Sequence, residues 1–217
     1  SPITREWVTT DLAIADGVIA GWGRREALQT VDVGGAALVS GFIDAHMHLE
    51  STKLWVDEFV KGALPCGTTA VACDPHEIAN VAGLDGVAAV AEAAEKMPFT
   101  FGLAASSCVP ASSFESPGAA FSPADIRHLI TEFNAIGIGE VMNYPAVISG
   151  DPTFREIIAA AGWRSVDGHA PGLRGSQLDA YLAAGVESDH ECFALDEAHE
   201  KRQKGMWVFL RYGSACK

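Results

Sequence analysis

From Gly41 onward the sequence alternates short apolar runs with helix-forming stretches, and this alternation most constrains the fold. Ile43–His46, Thr68–Cys73, Phe99–Leu103, Ile136–Val141, Trp163–Asp167, Val186–Ser188 and Met206–Arg211 read as seven strands. Between them lie six predicted helices. The first runs from Leu54 to Leu64, and an Ala-rich one runs from Gly86 to Lys96. The third opens with Ser122 as N-cap and Pro123 at the first helical position. The fourth is capped by Asp151 and ends near Gly162, and the others span Ser176–Ala184 and Leu195–Lys204. Strictly alternating strands and helices imply a parallel sheet. Because β-α-β crossovers are right-handed, the closed form of such a sheet is a (β/α)8 barrel. The count is one strand short of closure. A doubly wound sheet is the competing architecture, but no Gly-rich phosphate loop follows any strand.

The first 40 residues have a different grammar. Asp16-Gly17 stands between Leu12-Ala13-Ile14-Ala15 and Val18-Ile19-Ala20-Gly21-Trp22, a two-residue hairpin signal. Asp32-Val33-Gly34-Gly35-Ala36 reads as a turn. Residues 1–40 are therefore expected to be part of a small N-terminal β domain, and residues 41–217 a (β/α) barrel of strands 1–7, cut before strand 8. The chain opens with Ser1-Pro2 and stops directly after an apolar run, which supports that expectation of an incomplete barrel.

Function classes narrow with charge and cysteine usage. A formal net charge of −13 repels phosphate backbones and anionic lipid, so neither nucleic acid nor membrane is an expected partner. No apolar run approaches the roughly 20 residues of a membrane helix. The five cysteines are widely spread with no Cys-x-x-Cys, as expected of free thiols in a cytoplasmic protein.

The ionisable residues then fall in one place. His46 and His48 alternate along a strand, so they project from the same face and can grip one divalent ion. Glu140 ends strand four, His169 follows strand five, and His190 follows strand six. In a barrel these C-terminal strand ends meet at one mouth. Four imidazoles and a carboxylate exceed one tetrahedral site and suit two divalent ions bridged by the carboxylate. This convergence points to a metal-dependent hydrolase. Asp74-Pro75-His76-Glu77 admits two readings: a capping box with Asp74 as N-cap, or a catalytic or accessory metal role for His76 and Glu77. Ser107, Cys108 and Asn143 follow strands three and four, where they either line a substrate pocket or form ordinary turns. His128 and His199 sit within helices and read as surface residues.

Gly41-Phe42-Ile43-Asp44-Ala45-His46-Met47-His48-Leu49-Glu50-Ser51 resembles the first-strand motif of the amidohydrolase superfamily. Gly67-Thr68-Thr69, Asp74-Pro75-His76-Glu77-Ile78-Ala79-Asn80-Val81 and Ser107-Cys108-Val109-Pro110-Ala111 narrow the resemblance to the bacterial adenine deaminases. So do Gly139-Glu140-Val141-Met142-Asn143-Tyr144-Pro145, Asp167-Gly168-His169-Ala170-Pro171-Gly172-Leu173 and Ser188-Asp189-His190-Glu191. The resemblance implies hydrolytic deamination of adenine to hypoxanthine and ammonia at a binuclear Mn²⁺ or Fe²⁺ centre. By position, His46 and His48 would hold one ion, His169 and His190 the other, with Glu140 bridging in place of the carboxylated lysine of many superfamily members. Glu77 would share the proton traffic, with His76 beside it. Ser107, Cys108 and Asn143 would contact the purine. A homodimer is the expected form of a complete chain. Two features depart from the family. Tyr212 stands where the seventh strand usually carries Glu, and the eighth strand with its metal-ligating aspartate is absent. Another binuclear amidohydrolase, acting on a cyclic amide or another amide, and a catalytically silent metal-binding protein remain the rival readings.

Overall fold

The computed structural model describes residues 4–112 and 114–211. Tyr212 and Cys216 therefore lie outside the described residues. By internal contacts the chain divides into two compact units, Ser1–Ser40 and Gly41–Lys217. In the first, β1 (Leu12–Ala15) and β2 (Val18–Trp22) pair antiparallel across Asp16-Gly17. Both turn residues have positive φ, 51° and 75°, which gives the tight turn that matches strand twist. A second turn closes at Gly34-Gly35, with Ala36 N donating to Val33 O at 3.0 Å.

Among its described residues the second unit carries seven parallel strands: β3 (Phe42–Met47), β4 (Thr68–Cys73), β5 (Thr100–Leu103), β6 (Gly137–Val141), β7 (Ser165–Gly168), β8 (Ser188–Asp189) and β9 (Trp207–Val208). Continuous ladders join β3-β4-β5, β6-β7 and β8-β9. An isolated parallel bridge between Ala105 and Ile138 joins β5 to β6, and Glu187 N donates to Val166 O to join β7 to β8. Four strand spacings separate β3 from β7, about 19 Å in a flat sheet. Yet His46 Nδ1 on β3 lies 2.7 Å from Asp167 Oδ2 on β7. The sheet is therefore curled on itself, with helices outside, as in a barrel of the metal-dependent-hydrolase type. Among the described residues the outer edges of β3 and β9 pair with nothing, and Phe42 and Ile43 on β3 are 65% and 71% exposed.

Among the described residues seven α-helices link the strands: α1 (Val56–Ala63), α2 (His76–Glu95), α3 (Pro123–Thr131), α4 (Tyr144–Ser149), α5 (Pro152–Ala159), α6 (Gly175–Ala183) and α7 (Leu195–Gln203). Two differ from expectation. The second helix begins at His76, ten residues before the Ala-rich run, and is broken at Gly83, whose φ of 63° and ψ of −147° no helix contains. α4 was unforeseen, although its punctuation is ordinary: the Asn143 side chain accepts from Ala146 N, Pro145 opens the first turn, and Gly150 in the left-handed region closes the last. Asp74 is not a helix cap. Its carboxylate turns into the interior, and Glu50 Oε1, from the loop after β3, accepts the orphan N–H of Ile78 at 2.8 Å instead. No described helix is long and apolar enough to cross a membrane.

Two apolar clusters fix the helices to the strands. Leu49, Val56, Val60, Val71, Val90 and Leu103 fill the space under α1 and α2. Ile126, Leu129, Ile138, Ile157, Leu178 and Tyr181 fill the space under α3, α5 and α6. Each such buried side chain contributes about 1.5–3 kcal/mol, so these clusters hold the strand ends in register. Inside the curl, Ala45, Ala72, Ala104, Gly137 and Gly139 leave a cavity of about 200 Å³, which His46, Asp74 and Asp167 also line.

Candidate metal centre

Glu140 is the hub. It is the penultimate residue of β6, every residue of which is buried, and is itself 3% exposed. Its Oε1 lies 3.4 Å from His48 Nε2 and 3.3 Å from His76 Nδ1. Its Oε2 lies 2.7 Å from His169 Nδ1 and 2.9 Å from His190 Nε2. The two oxygens thus divide four imidazoles into two pairs. Burial alone would raise the Glu140 carboxyl, but hydrogen bonds from His169 and His190, and their charge, hold it well below the ordinary carboxylate range. His46 joins from β3, stacked on His190 with ring centroids 3.7 Å apart and edge-on to His48 at 4.8 Å.

The imidazoles are oriented from behind. His48 Nδ1 lies 2.8 Å from the Asp74 carbonyl, which can only accept, so the ring donates there and turns a lone pair on Nε2 toward Glu140. His46 Nδ1 donates to Asp167, whose other oxygen accepts from Ser188 Oγ and Gly168 N. This leaves His46 Nε2 buried without a hydrogen-bond partner. Burial opposes charging of His46, and Asp167 outweighs it, so its pKa is raised. His76 behaves alike: burial disfavours the imidazolium, but the Asp74 and Glu140 carboxylates push its pKa up to about 9. Asp74 is pinned by Ser106 Oγ at 2.5 Å and by Glu140 N at 3.0 Å.

These donors fit divalent ions. Ligands at 2.0–2.2 Å around one ion stand about 2.8–3.6 Å from each other, from octahedral to tetrahedral geometry, and the Glu140 oxygens are 2.7–3.4 Å from the four ring nitrogens. His46, His48 and Glu140 offer one ligand set, and Glu140, His169 and His190 another. Asp74, His76 and Glu140, and His46, Asp167 and His190, form two further groups that share these atoms. A buried orphan nitrogen on His46 and a lone pair aimed from His48 suit a cation better than a solvent-facing polar patch.

Every expected metal residue therefore lies in one cluster, and His76 joins it. Glu77 does not: it sits exposed on the first turn of α2, accepting from Ser51 Oγ at 3.3 Å. Ser107 is buried behind Glu140, donating to its carbonyl at 2.8 Å. Cys108 is buried beside it, its thiol pKa raised by that burial. Asn143 caps α4 with its side-chain oxygen. Sequence reasoning passed over Asp74 and Asp167 as site residues. Asp167 carried a signal, since it shares a strand end with His169. Asp74 was concealed by its resemblance to a cap.

The family model for the amidohydrolase family matches residues 37–209. An adenine deaminase of Archaeoglobus fulgidus is 45% identical over 99% of this chain and 38% of its own length. One of Syntrophobacter fumaroxidans is 47% identical over 94% of this chain and 36% of its own. Adenine deaminase 2 of Carboxydothermus hydrogenoformans is 42% identical over 99% and 38%. The chain thus spans somewhat over a third of the length of the curated relatives it matches. With four-fifths of its residues under the family model and its strand-end imidazoles gathered on one glutamate, the chain belongs to the amidohydrolase family.

Proposed function

We propose that this chain is the N-terminal portion of a cytoplasmic, metal-dependent adenine deaminase that hydrolyses adenine to hypoxanthine and ammonia in purine salvage. The observation that carries the reading is the Glu140 carboxylate with two imidazoles on each oxygen, in a chain 41–47% identical to adenine deaminases. His46 and His48 would hold one Mn²⁺ or Fe²⁺, His169 and His190 the other, and Glu140 would bridge them. Such ions supply Lewis acidity, which makes hydroxide available near neutral pH for addition to the purine. His76, whose pKa of about 9 keeps it protonated at neutral pH beside Glu140, would deliver that proton to the departing amino group. Glu77, the next residue of the first turn of α2 and exposed, would pass protons between His76 and solvent. Ser107 and Cys108 shape the purine pocket from behind Glu140, and Asn143 does so from the start of α4. The complete enzyme is a homodimer with an eighth strand that closes the barrel between β3 and β9.

The test is turnover. The chain is expressed alone and joined to the part of the Archaeoglobus relative that lies outside the matched stretch, each loaded with Mn²⁺. The joined polypeptide is expected to release ammonia and hypoxanthine from adenine, and the chain alone to be essentially inactive. Hydrolysis of a cyclic amide or ureide with adenine left intact would overturn the assignment.

A further inference from the structure

Beneath the loops that carry His169 and His190 lies a buried charged network that the mechanism above does not use. Lys201, on α7, is 0% exposed. Its ammonium donates to Ala170 O at 2.7 Å, Asp189 Oδ2 at 2.9 Å and Glu197 Oε1 at 2.6 Å, which uses all three of its protons. Asp189 is equally buried. Its Oδ1 accepts from Ala170 N at 2.8 Å, and its Oδ2 from Cys192 Sγ at 3.2 Å and Glu191 N at 3.3 Å. Glu197, 3% exposed, accepts from Gly172 N at 2.9 Å and Phe193 N at 3.2 Å.

The groups held in this way are not scattered. Ala170 and Gly172 lie one and three residues after His169. Asp189 precedes His190, and Glu191, Cys192 and Phe193 follow it. One ammonium and two carboxylates therefore clamp both loops to α7 and to each other. A trio of this kind is a poor device for stability alone. Desolvating three charges costs as much as their attraction returns, and apolar residues of the same volume usually serve as well or better. What such a network supplies is direction: each donor and acceptor has one geometry, and apart from the Lys201–Glu197 bond within α7 every bond here fixes backbone or side-chain atoms flanking the two imidazoles.

We propose that Lys201 is a positioning residue for the metal held by His169, His190 and Glu140. Acting through Asp189 and Glu197, it fixes the separation and orientation of the two imidazoles and thereby sets the affinity of that ion without touching it. The inference rests on the reading of His169 and His190 as metal ligands. His46 and His48 have supports of their own, Asp167 and the Asp74 carbonyl, and only the stacking of His46 on His190 and the contacts of Asp167 tie them to this network.

The test uses the chain joined to the part of the Archaeoglobus relative that lies outside the matched stretch, with Mn²⁺ alone as probe and binding followed by equilibrium dialysis and elemental analysis. His169→Ala identifies the ion held by His169 and His190, and His48→Ala the ion held by the first pair. Lys201→Met is expected to weaken the first of these by about 10–100-fold, the usual cost of losing an outer partner of a ligand. The ion at His46 and His48 is expected to weaken several-fold less, because this network reaches it only through the His46–His190 stack and the shared Glu140. That selectivity separates positioning from general support, which would weaken both ions together. Where Lys201→Met does not fold by circular dichroism, Glu197→Gln, which keeps the shape, carries the test with the same selective weakening expected. A folded variant that binds both ions like the wild type, or loses both in parallel, overturns the inference. If the wild type binds no Mn²⁺, or His169→Ala changes nothing, the reading of the centre fails and the inference with it.

Discussion

Tyr181→Phe isolates a single oxygen atom. Tyr181, on α6, is 0% exposed, and its hydroxyl donates to Val141 O at 2.7 Å while accepting from His169 N at 3.1 Å. Burial pushes the phenol well above its ordinary pKa, so it keeps its proton, and its donor role, across the accessible pH range. Phenylalanine preserves the ring packing and removes both bonds. A net bond is worth about 0.5–1.5 kcal/mol, and a buried group left unpaired costs about 1–3 kcal/mol. The lost pair therefore amounts to about 2–4 kcal/mol. For a chain of this size, about 3 kcal/mol lowers Tm by about 6–12 °C, and moves a urea midpoint by about 1–2 M. Thermal unfolding followed by circular dichroism, with and without Mn²⁺, reads the effect. A Tm within about 2 °C of wild type would refute the reasoning, because two buried hydrogen bonds cannot be removed for less than about 1 kcal/mol.

Two further substitutions probe the hub. Glu140→Gln keeps the shape but removes the carboxylate that meets His48 and His76 with one oxygen and His169 and His190 with the other, so Mn²⁺ affinity is expected to fall by more than the roughly 10–100-fold cost of losing an outer partner. Elemental analysis after gel filtration checks this, and unchanged metal content would count against a bridging role. Gly139→Ala places a methyl group against the Asp74 carboxylate, which Ser106 and Glu140 N hold fixed. Overpacking together with loss of those charge-assisted bonds is expected to cost about 3–5 kcal/mol, measured by urea unfolding.

The order of strands and helices was legible because each strand is a short apolar run and each long helix has a face or a cap. The convergence of His46, His48, Glu140, His169 and His190 was legible too, since a parallel sheet puts all strand C-termini at one end. What stayed hidden depends on contacts distant in sequence. Asp74-Pro75-His76-Glu77 has the local grammar of a capping box, but Ser106, 32 residues on, and Glu140 N, 66 residues on, claim the carboxylate. Glu50 then takes over the cap from the other side. Lys201 and Glu197 stand four apart on a highly polar helix, a spacing that normally marks an exposed pair. Only the packing of α7 under two loops makes them interior. Met142-Asn143-Tyr144-Pro145 reads as a turn unless Gly150 is noticed as the stop of a six-residue helix.

The supports of the imidazoles share one property. His46 on β3 is held by Asp167 on β7, and His48 after β3 by the Asp74 carbonyl after β4. The backbone of His169 after β7 is held by Tyr181 on α6, and the loop of His190 after β8 by Lys201 on α7. In each case the anchor comes from a different element than the ring it orients. No local segment can therefore present a correctly aimed pair, and the donor set exists only when the curled sheet and its outer helices are assembled. Metal binding at such a set is linked to folding, because the ions bind the assembled state far better than the open chain. An ion at a hundred times its Kd adds about 2.7 kcal/mol to stability. The free energy of the centre is thus shared by the strands that bear the ligands and the elements that aim them.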